Sequence, residues 1–322
     1  MRIVTFCAHQ PYLYLFAGMD LEMDLIQIGE QKRFLQNWNE KVRPLPAKWR
    51  VISWDEAKKN LARKRYHFAV GHNINDYIDF LPFKVPSILV THTSLSSRLT
   101  EEKINFDPAS YKRDLHELIQ RSRGTMVWVS EHKRQDWNLP GEVIPLVVNA
   151  SDYLGFTGEK PAILRVSNQL MERGKILRYK EHEIITKGFH LTLVGHNPQI
   201  PESQIAGSWD ELKAHYQSHR MYLHTAQPHL EDGYNTAMLE AMGTGMPIIS
   251  TPHPTSPVID GYNGFISDDL DYLREKVALL MEDRDLALQL GANSRKTALE
   301  RFNIQQFQDQ WQALFKKVGR RR

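Results

Sequence analysis

Short apolar runs alternate with amphipathic segments along almost the whole chain. RIVTFCA, MDLIQIG, WRVIS, HFAVGH, PSILVTHT, TMVWVS and EVIPLVV are rich in Val and Ile, the pattern of strands buried on both faces. Between several of them lie amphipathic stretches such as DEAKKNLARKRY and ASYKRDLHELIQRSRG. Such alternation predicts parallel sheets with helices on both faces. The pattern breaks at NASDYLGFTGEKP, residues 149–161, a polar Gly- and Pro-containing stretch suited to a linker. It then resumes with AILRVSN, EHEIITKG, HLTLVGHNP, SWDELKAHYQSH, RMYLHT, NTAMLEAMG and MPIISTP. From Leu270 the chain reads as mostly helical and ends in RFNIQQFQDQWQALFKKV. Two doubly wound α/β units joined by one linker are expected, with a cleft between them.

Composition adds limits to this picture. A chain of 322 residues is long enough for two cores, and 41% hydrophobic with 25% charged residues suits a soluble globular protein. No stretch approaches the ~18 consecutive apolar residues of a bilayer span. MRIVTFCAHQ opens as a strand and lacks the layout of a signal peptide. Cys7 is the only cysteine, which excludes a disulfide framework and a thiolate metal site. A cytoplasmic location is expected. Charge is uneven: residues 32–65 carry eleven Lys and Arg against three acids, a net of +8, and the final KKVGRRR adds five cations. Most such runs are solvated faces; the functional alternative is docking at the inner face of an anionic membrane.

Several chemistries are disfavoured by missing motifs. CAHQPYLYLFAG follows the first strand where a dinucleotide-binding enzyme would carry G-x-G-x-x-G. Neither a Walker A sequence nor a G-x-S-x-G elbow is present. His215 and His219 stand four apart in HYQSH, without the Glu of a zinc protease motif, and are expected to face solvent.

The informative stretch is EDGYNTAMLEAMGTGMPIIS, residues 231–250. Asn235 is a good N-cap, TAMLEAM is strongly helical, and Gly243 and Gly245 are stop signals before Pro247. Amides from Gly233 through Tyr234 and Asn235 to Thr236 would suit the oxygens of an anionic ligand at the helix N-terminus. Glu240 lies one turn further on the same face, where a carboxylate can accept two hydrogen bonds from a ribose diol. Asp232 could do likewise for sugar hydroxyls. The bland alternative has Asp232 capping a turn and Glu240 pointing to solvent.

MYLHTAQPHLEDGYNTAMLEAMGTGMPIISTP resembles the signature of retaining glycosyltransferases of the GT-B fold, the group 1 or family 4 type, with Asp232 in place of the family's first Glu. VIDGYNGFISDD is similar to the family's Gly-x-x-Gly turn and following strand, with Pro257 near the place of a missing Glu. AILRVSNQLMERGK parallels the first strand of the nucleotide-binding domain; Arg173 fits a Lys position, Lys175 follows, and Asn168 falls where an Arg is expected. HLTLVGHNP resembles the strand and glycine turn near the base, at Gly195, and ILVTHTS places His92 where the family has a histidine facing the donor sugar. The family's glycine-rich loop after the first strand is absent, with His9 and Gln10 in its place.

The resemblance implies an α/β protein of two Rossmann-like doubly wound domains. Residues 1–152 would form the acceptor-side domain, 153–303 the nucleotide-sugar domain, and 304–322 a terminal helix packing back on the first. It implies a hexosyl-type transfer from a nucleotide-diphosphate sugar, with retention. Arg173 and Lys175 would clamp the diphosphate, His92 would place the sugar, and the leaving phosphate would accept the acceptor's proton. No metal and no cofactor are expected, since no acidic pair resembling a divalent-metal site is apparent. The expected partners are the nucleotide sugar and an acceptor, with no nucleic acid. The rivals are a nucleotide-sugar epimerase of the same architecture and a non-catalytic nucleotide-sugar-binding protein.

Overall fold

The computed structural model describes residues 1–28, 37–102, 107–153 and 155–320. Lys32 and Arg33 of the basic segment and Arg321 and Arg322 of the tail lie outside them. The chain divides into two compact units, residues 1–146 with 305–322, and residues 147–304.

The first unit holds β1 (Arg2–Phe6), β2 (Glu22–Gln27), β3 (Trp49–Ser53), β4 (Phe68–Gly71), β5 (Ser87–Thr91), β6 (Thr125–Trp128) and β7 (Glu142–Val143). They form one sheet in the order β3-β2-β1-β4-β5-β6-β7, and every pairing is parallel. Both faces are covered. Val4, Phe6, Ile26, Ala69 and Phe80 fill one buried cluster, and Tyr77, Leu89, Trp128 and Trp137 another. The apolar run EVIPLVV forms only a two-residue strand, because Pro145 offers no N–H to the ladder. Pairing persists around it, with Ile144 donating to the Trp128 carbonyl and Leu146 to that of Val129. The helix Ile304–Gly319 joins this unit from residue 305 on: Phe307 and Trp311 lie edge-on to Phe16, and Phe315 packs on Phe68.

The second unit holds β8 (Lys160–Val166), β9 (Leu191–Val194), β10 (His219–His224), β11 (Ile248–Ser250) and β12 (Gly264–Ile266), ordered β12-β11-β10-β8-β9 and again all parallel. Ile163, Met221, Leu223, Ile249 and the helix residues Ile185, Leu273 and Val277 fill its core.

In each sheet the strand order reverses once. The chain runs outward from β1 through β2 to β3 and then returns to β4; in the second unit it runs from β8 to β9 and returns to β10. In open parallel sheets ligands bind outside the carboxyl ends of the strands at that reversal. In this chain those positions are the loops after β1 and β4, and those after β8 and β10.

Three cations of the basic segment, Lys48, Arg50 and Lys58, meet neighbouring acids. Arg50 and Arg2 each reach Asp24 at 2.8 Å, Lys48 meets Asp20 at 2.5 Å, and Lys58 meets Asp55 at 2.6 Å. Burial works to raise the Asp24 carboxyl, and hydrogen bonds from Arg50, Tyr66 and Arg2 outweigh it and hold the group below its usual range. Arg43 is itself buried. No helix among the described residues is long and apolar enough to cross a membrane.

Candidate active site

At the reversal of the second sheet, the loop after β8 carries Asn168, Arg173 and Lys175, and the loop after β10 carries residues 225–235. They are tied together. Arg173 lies 3.8 Å from Glu231, Gln227 donates its amide to the Ile176 carbonyl at 2.8 Å, and the Thr225 hydroxyl donates to the Leu177 carbonyl. Lys175, in the short helix Gly174–Leu177, is exposed. Arg173 is half-buried, so a diphosphate at its guanidinium would share it with the Glu231 carboxylate.

Asn168 is exposed, and its side-chain oxygen is engaged within the protein. Its side-chain oxygen accepts the His196 amide at 2.8 Å, while Asn197 accepts from the Leu170 amide and donates to the Ser167 carbonyl, each at 2.8 Å. The two asparagines stitch the β8 loop to the glycine turn after β9. Gly195 sits there at φ 137°, and a Cβ would run into the Ser167 carbonyl, so only glycine fits.

The helix Thr236–Thr244 starts as its sequence predicts. Asn235 accepts the Met238 amide at 2.8 Å, and Gly245 ends the helix at φ 103°. Asn235, Thr236 and Ala237 keep this first turn half-exposed. The preceding turn is packed more tightly than the sequence suggests. Gly233 donates its amide to the Thr255 hydroxyl at 2.9 Å, and a Cβ on Gly233 would lie 2.7 Å from His253. Thr255 donates its amide to His253 Nδ1, which leaves the proton on Nε2 to bond the Glu231 carbonyl at 2.6 Å. Asp232 is fully buried, so a sugar would reach its carboxylate only after this turn shifts. Tyr234 is buried with its ring 5.0 Å from that of Phe302. Glu240 is 5% exposed and accepts the Tyr216 hydroxyl at 3.0 Å, so it does not point to solvent.

In the first unit, three histidines follow three adjacent strands: His9 after β1, His72 after β4 and His92 after β5. His92 stacks on His9 with ring centroids 4.1 Å apart, and its Nε2 is 2.9 Å from His72 Nδ1, so one of these nitrogens donates to the other. Tyr12 lies edge-on to His92 at 4.7 Å. Burial lowers the His72 imidazole to about 3 and that of His92 well below its usual value, while His9 is exposed. His92 is therefore a neutral hydrogen-bonding group. His9 holds a left-handed backbone, φ 50° and ψ 54°, where the resemblance expects glycine.

His215 and His219 correct the sequence expectation. His219 is buried, with its ring nitrogens 2.8 Å from the Thr192 hydroxyl and 2.8 Å from the His215 carbonyl, and His215 is half-buried. They serve as polar pegs in the core. Among the described residues no cluster of three or more His, Cys, Asp or Glu side chains is arranged to hold a metal ion. Glu231, His253 and the partners of His92 escape the motif reading. The histidines could have been found, because TFCAH, FAVGH and ILVTH repeat one pattern of apolar strand followed by histidine.

Two parallel-sheet units with these reversal points define the GT-B fold. Anabaena Alr3699/HepE, solved with UDP and glucose, is similar over 98% of this chain and 100% of its own at 12% identity and a TM-score of 0.69. Sucrose-phosphate synthase from Thermosynechococcus elongatus is similar over 99% of each chain, at 14% identity and 0.65. TarM of S. aureus, also solved with UDP, is similar over 77% of this chain at 15% identity and 0.57, and the chain spans 54% of TarM's length. No curated protein matches by sequence. Residues 170–283 match the family model of the group 1 glycosyl transferases.

Proposed function

We propose that the protein moves a sugar from a nucleotide-diphosphate sugar to an acceptor hydroxyl, with retention of anomeric configuration and without a divalent metal. The observation that carries this reading is the reversal point of the second sheet, inside the segment matched to group 1 glycosyl transferases. There Arg173, Lys175 and the half-exposed first turn of Thr236–Thr244 follow the carboxyl ends of two neighbouring strands, β8 and β10. Breaking the sugar–phosphate bond leaves negative charge on the diphosphate and positive charge on the ring. Cations and a helix N-terminus stabilise the first. Neutral His92 would place the sugar, and the leaving phosphate would take the acceptor's proton. The UDP held by HepE and TarM supports a nucleotide donor. Thermal shifts with UDP, GDP and ADP and their sugars, followed by turnover of whichever sugar binds, test the reading. Binding without turnover would leave a nucleotide-sugar carrier.

Glu240 is assigned to the ribose. Its carboxylate, oriented by the Tyr216 hydroxyl, would accept the diol. Glu240→Gln should weaken nucleoside-diphosphate binding by about tenfold, the value of a hydrogen bond to a charged group, while thermal stability stays close to parental. Calorimetric affinity equal to the parent's would remove Glu240 from the site.

The remaining cations of residues 32–65 and the tail are assigned a weak contact with anionic lipid. Vesicle co-sedimentation should rise with acidic lipid and fall between low and moderate salt. Binding indifferent to lipid charge, or none, would leave a solvated face.

A further inference from the structure

Arg165 is 2% exposed near the carboxyl end of β8, and no carboxylate among the described residues pairs with it. Its guanidinium donates to the Leu223 carbonyl at 3.3 Å, the Thr225 hydroxyl at 3.0 Å and the Thr225 carbonyl at 3.3 Å. The Thr225 hydroxyl passes the connection on, donating to the Leu177 carbonyl at the end of the helix that carries Lys175. A continuous chain thus runs from a buried cation to the segment 173–177. Leaving a charge buried without a counter-ion is costly. The cost is lowered when an anion arrives. The cation's field is felt nearby: desolvation, and after it the Arg165 charge, lowers both His182 and His224 to about 3, so no second cation competes there.

We propose that Arg165 is the positioning cation of the nucleotide site, holding segment 173–177 through Thr225 and Leu177 and supplying fixed positive charge beneath the reversal point for a bound diphosphate. The proposal rests on the nucleotide-sugar reading above and deepens it. It also accounts for a site that lacks a cation at Asn168: the charge comes from below the loop, three residues earlier on the strand.

The test compares the full chain with Arg165→Lys and Arg165→Gln, using UDP, uridine and inorganic pyrophosphate as probes at two salt concentrations. The parent should be stabilised thermally by pyrophosphate, less so at high salt. Arg165→Gln should lose about tenfold in UDP affinity, the order expected of one removed charge at close range, with uridine affinity unchanged. Arg165→Lys should regain most of the UDP affinity, which a purely structural role for the planar fork would not allow. UDP binding by folded Arg165→Gln equal to the parent's, with the same salt dependence, overturns the proposal. If Arg165→Gln does not fold, Arg165→Lys decides: a UDP affinity reduced as far as its uridine affinity overturns it. A parent that binds pyrophosphate but not UDP refutes the nucleotide reading and leaves the cation site standing.

Discussion

Arg173→Ala should lower turnover of the sugar donor by about a hundred- to a thousandfold, while donor affinity falls much less. Removing one preorganised donor that meets developing charge costs about 2.7–4 kcal/mol of transition-state stabilisation in comparable sites. The effect falls on rate because the diphosphate gains charge only as the glycosidic bond breaks. In the proposed clamp Arg173 would have a large share of this task, since the Asn168 side-chain oxygen is bonded to the His196 amide and offers no charge. Glu231, 3.8 Å away, keeps the guanidinium oriented in the absence of donor. Lys175→Ala should act in the same direction. Single-turnover rates for both variants and turnover of the parent in excess EDTA are the measurements. Near-parental rates in both would remove the clamp. Abolition by EDTA with rescue by Mg²⁺ or Mn²⁺ would sink the metal-free reading.

Acid should unfold the protein steeply. His72, His182 and His224 are each buried, and each imidazole is driven by desolvation to about 3 from an ordinary value of 6.5. Below pH 6.5 the unfolded chain takes up protons at these positions and the folded chain does not. Stability is therefore fully present above that pH and is lost as pH falls through the window from 6.5 towards 3. Each such histidine contributes a slope of about 1.4 kcal/mol per pH unit once the unfolded form is protonated, so three together approach about 4 kcal/mol per unit. Against a total stability of about 5–15 kcal/mol, unfolding should be complete well before the lower limit is reached. Urea midpoints at pH 7, 6 and 5 check this. A midpoint that is flat over that range would mean these imidazoles are protonated in the fold.

Parallel strands and capped helices were legible because burial on two faces imposes long apolar runs and because Asn235 and Gly245 carry local backbone chemistry. EVIPLVV reads as a longer strand than it forms, since hydrophobicity reports burial and says nothing of the N–H missing at Pro145. The 231–250 stretch announced its helix and its glycines. What it hid was occupancy: Gly233 is glycine to admit His253, and its amide already serves Thr255. Partners distant in sequence, such as Arg173 with Glu231, Glu240 with Tyr216 and His92 with His72, leave no periodic trace. His219 reads as solvent-facing for the same reason, its partner Thr192 lying on another strand.

The paired asparagines at the rim of the second sheet have a thermodynamic meaning. Because Asn168 is bonded across to His196, and Asn197 back to Ser167 and Leu170, neither loop can open alone without breaking the other's bonds. The two loops gain and lose order as one cooperative element. A ligand that stilled the loop at Arg173 would thereby have met the entropy of stilling the turn at Gly195. The second half of such a ligand would then dock on a surface already at rest, a coupling that requires no movement between two shapes.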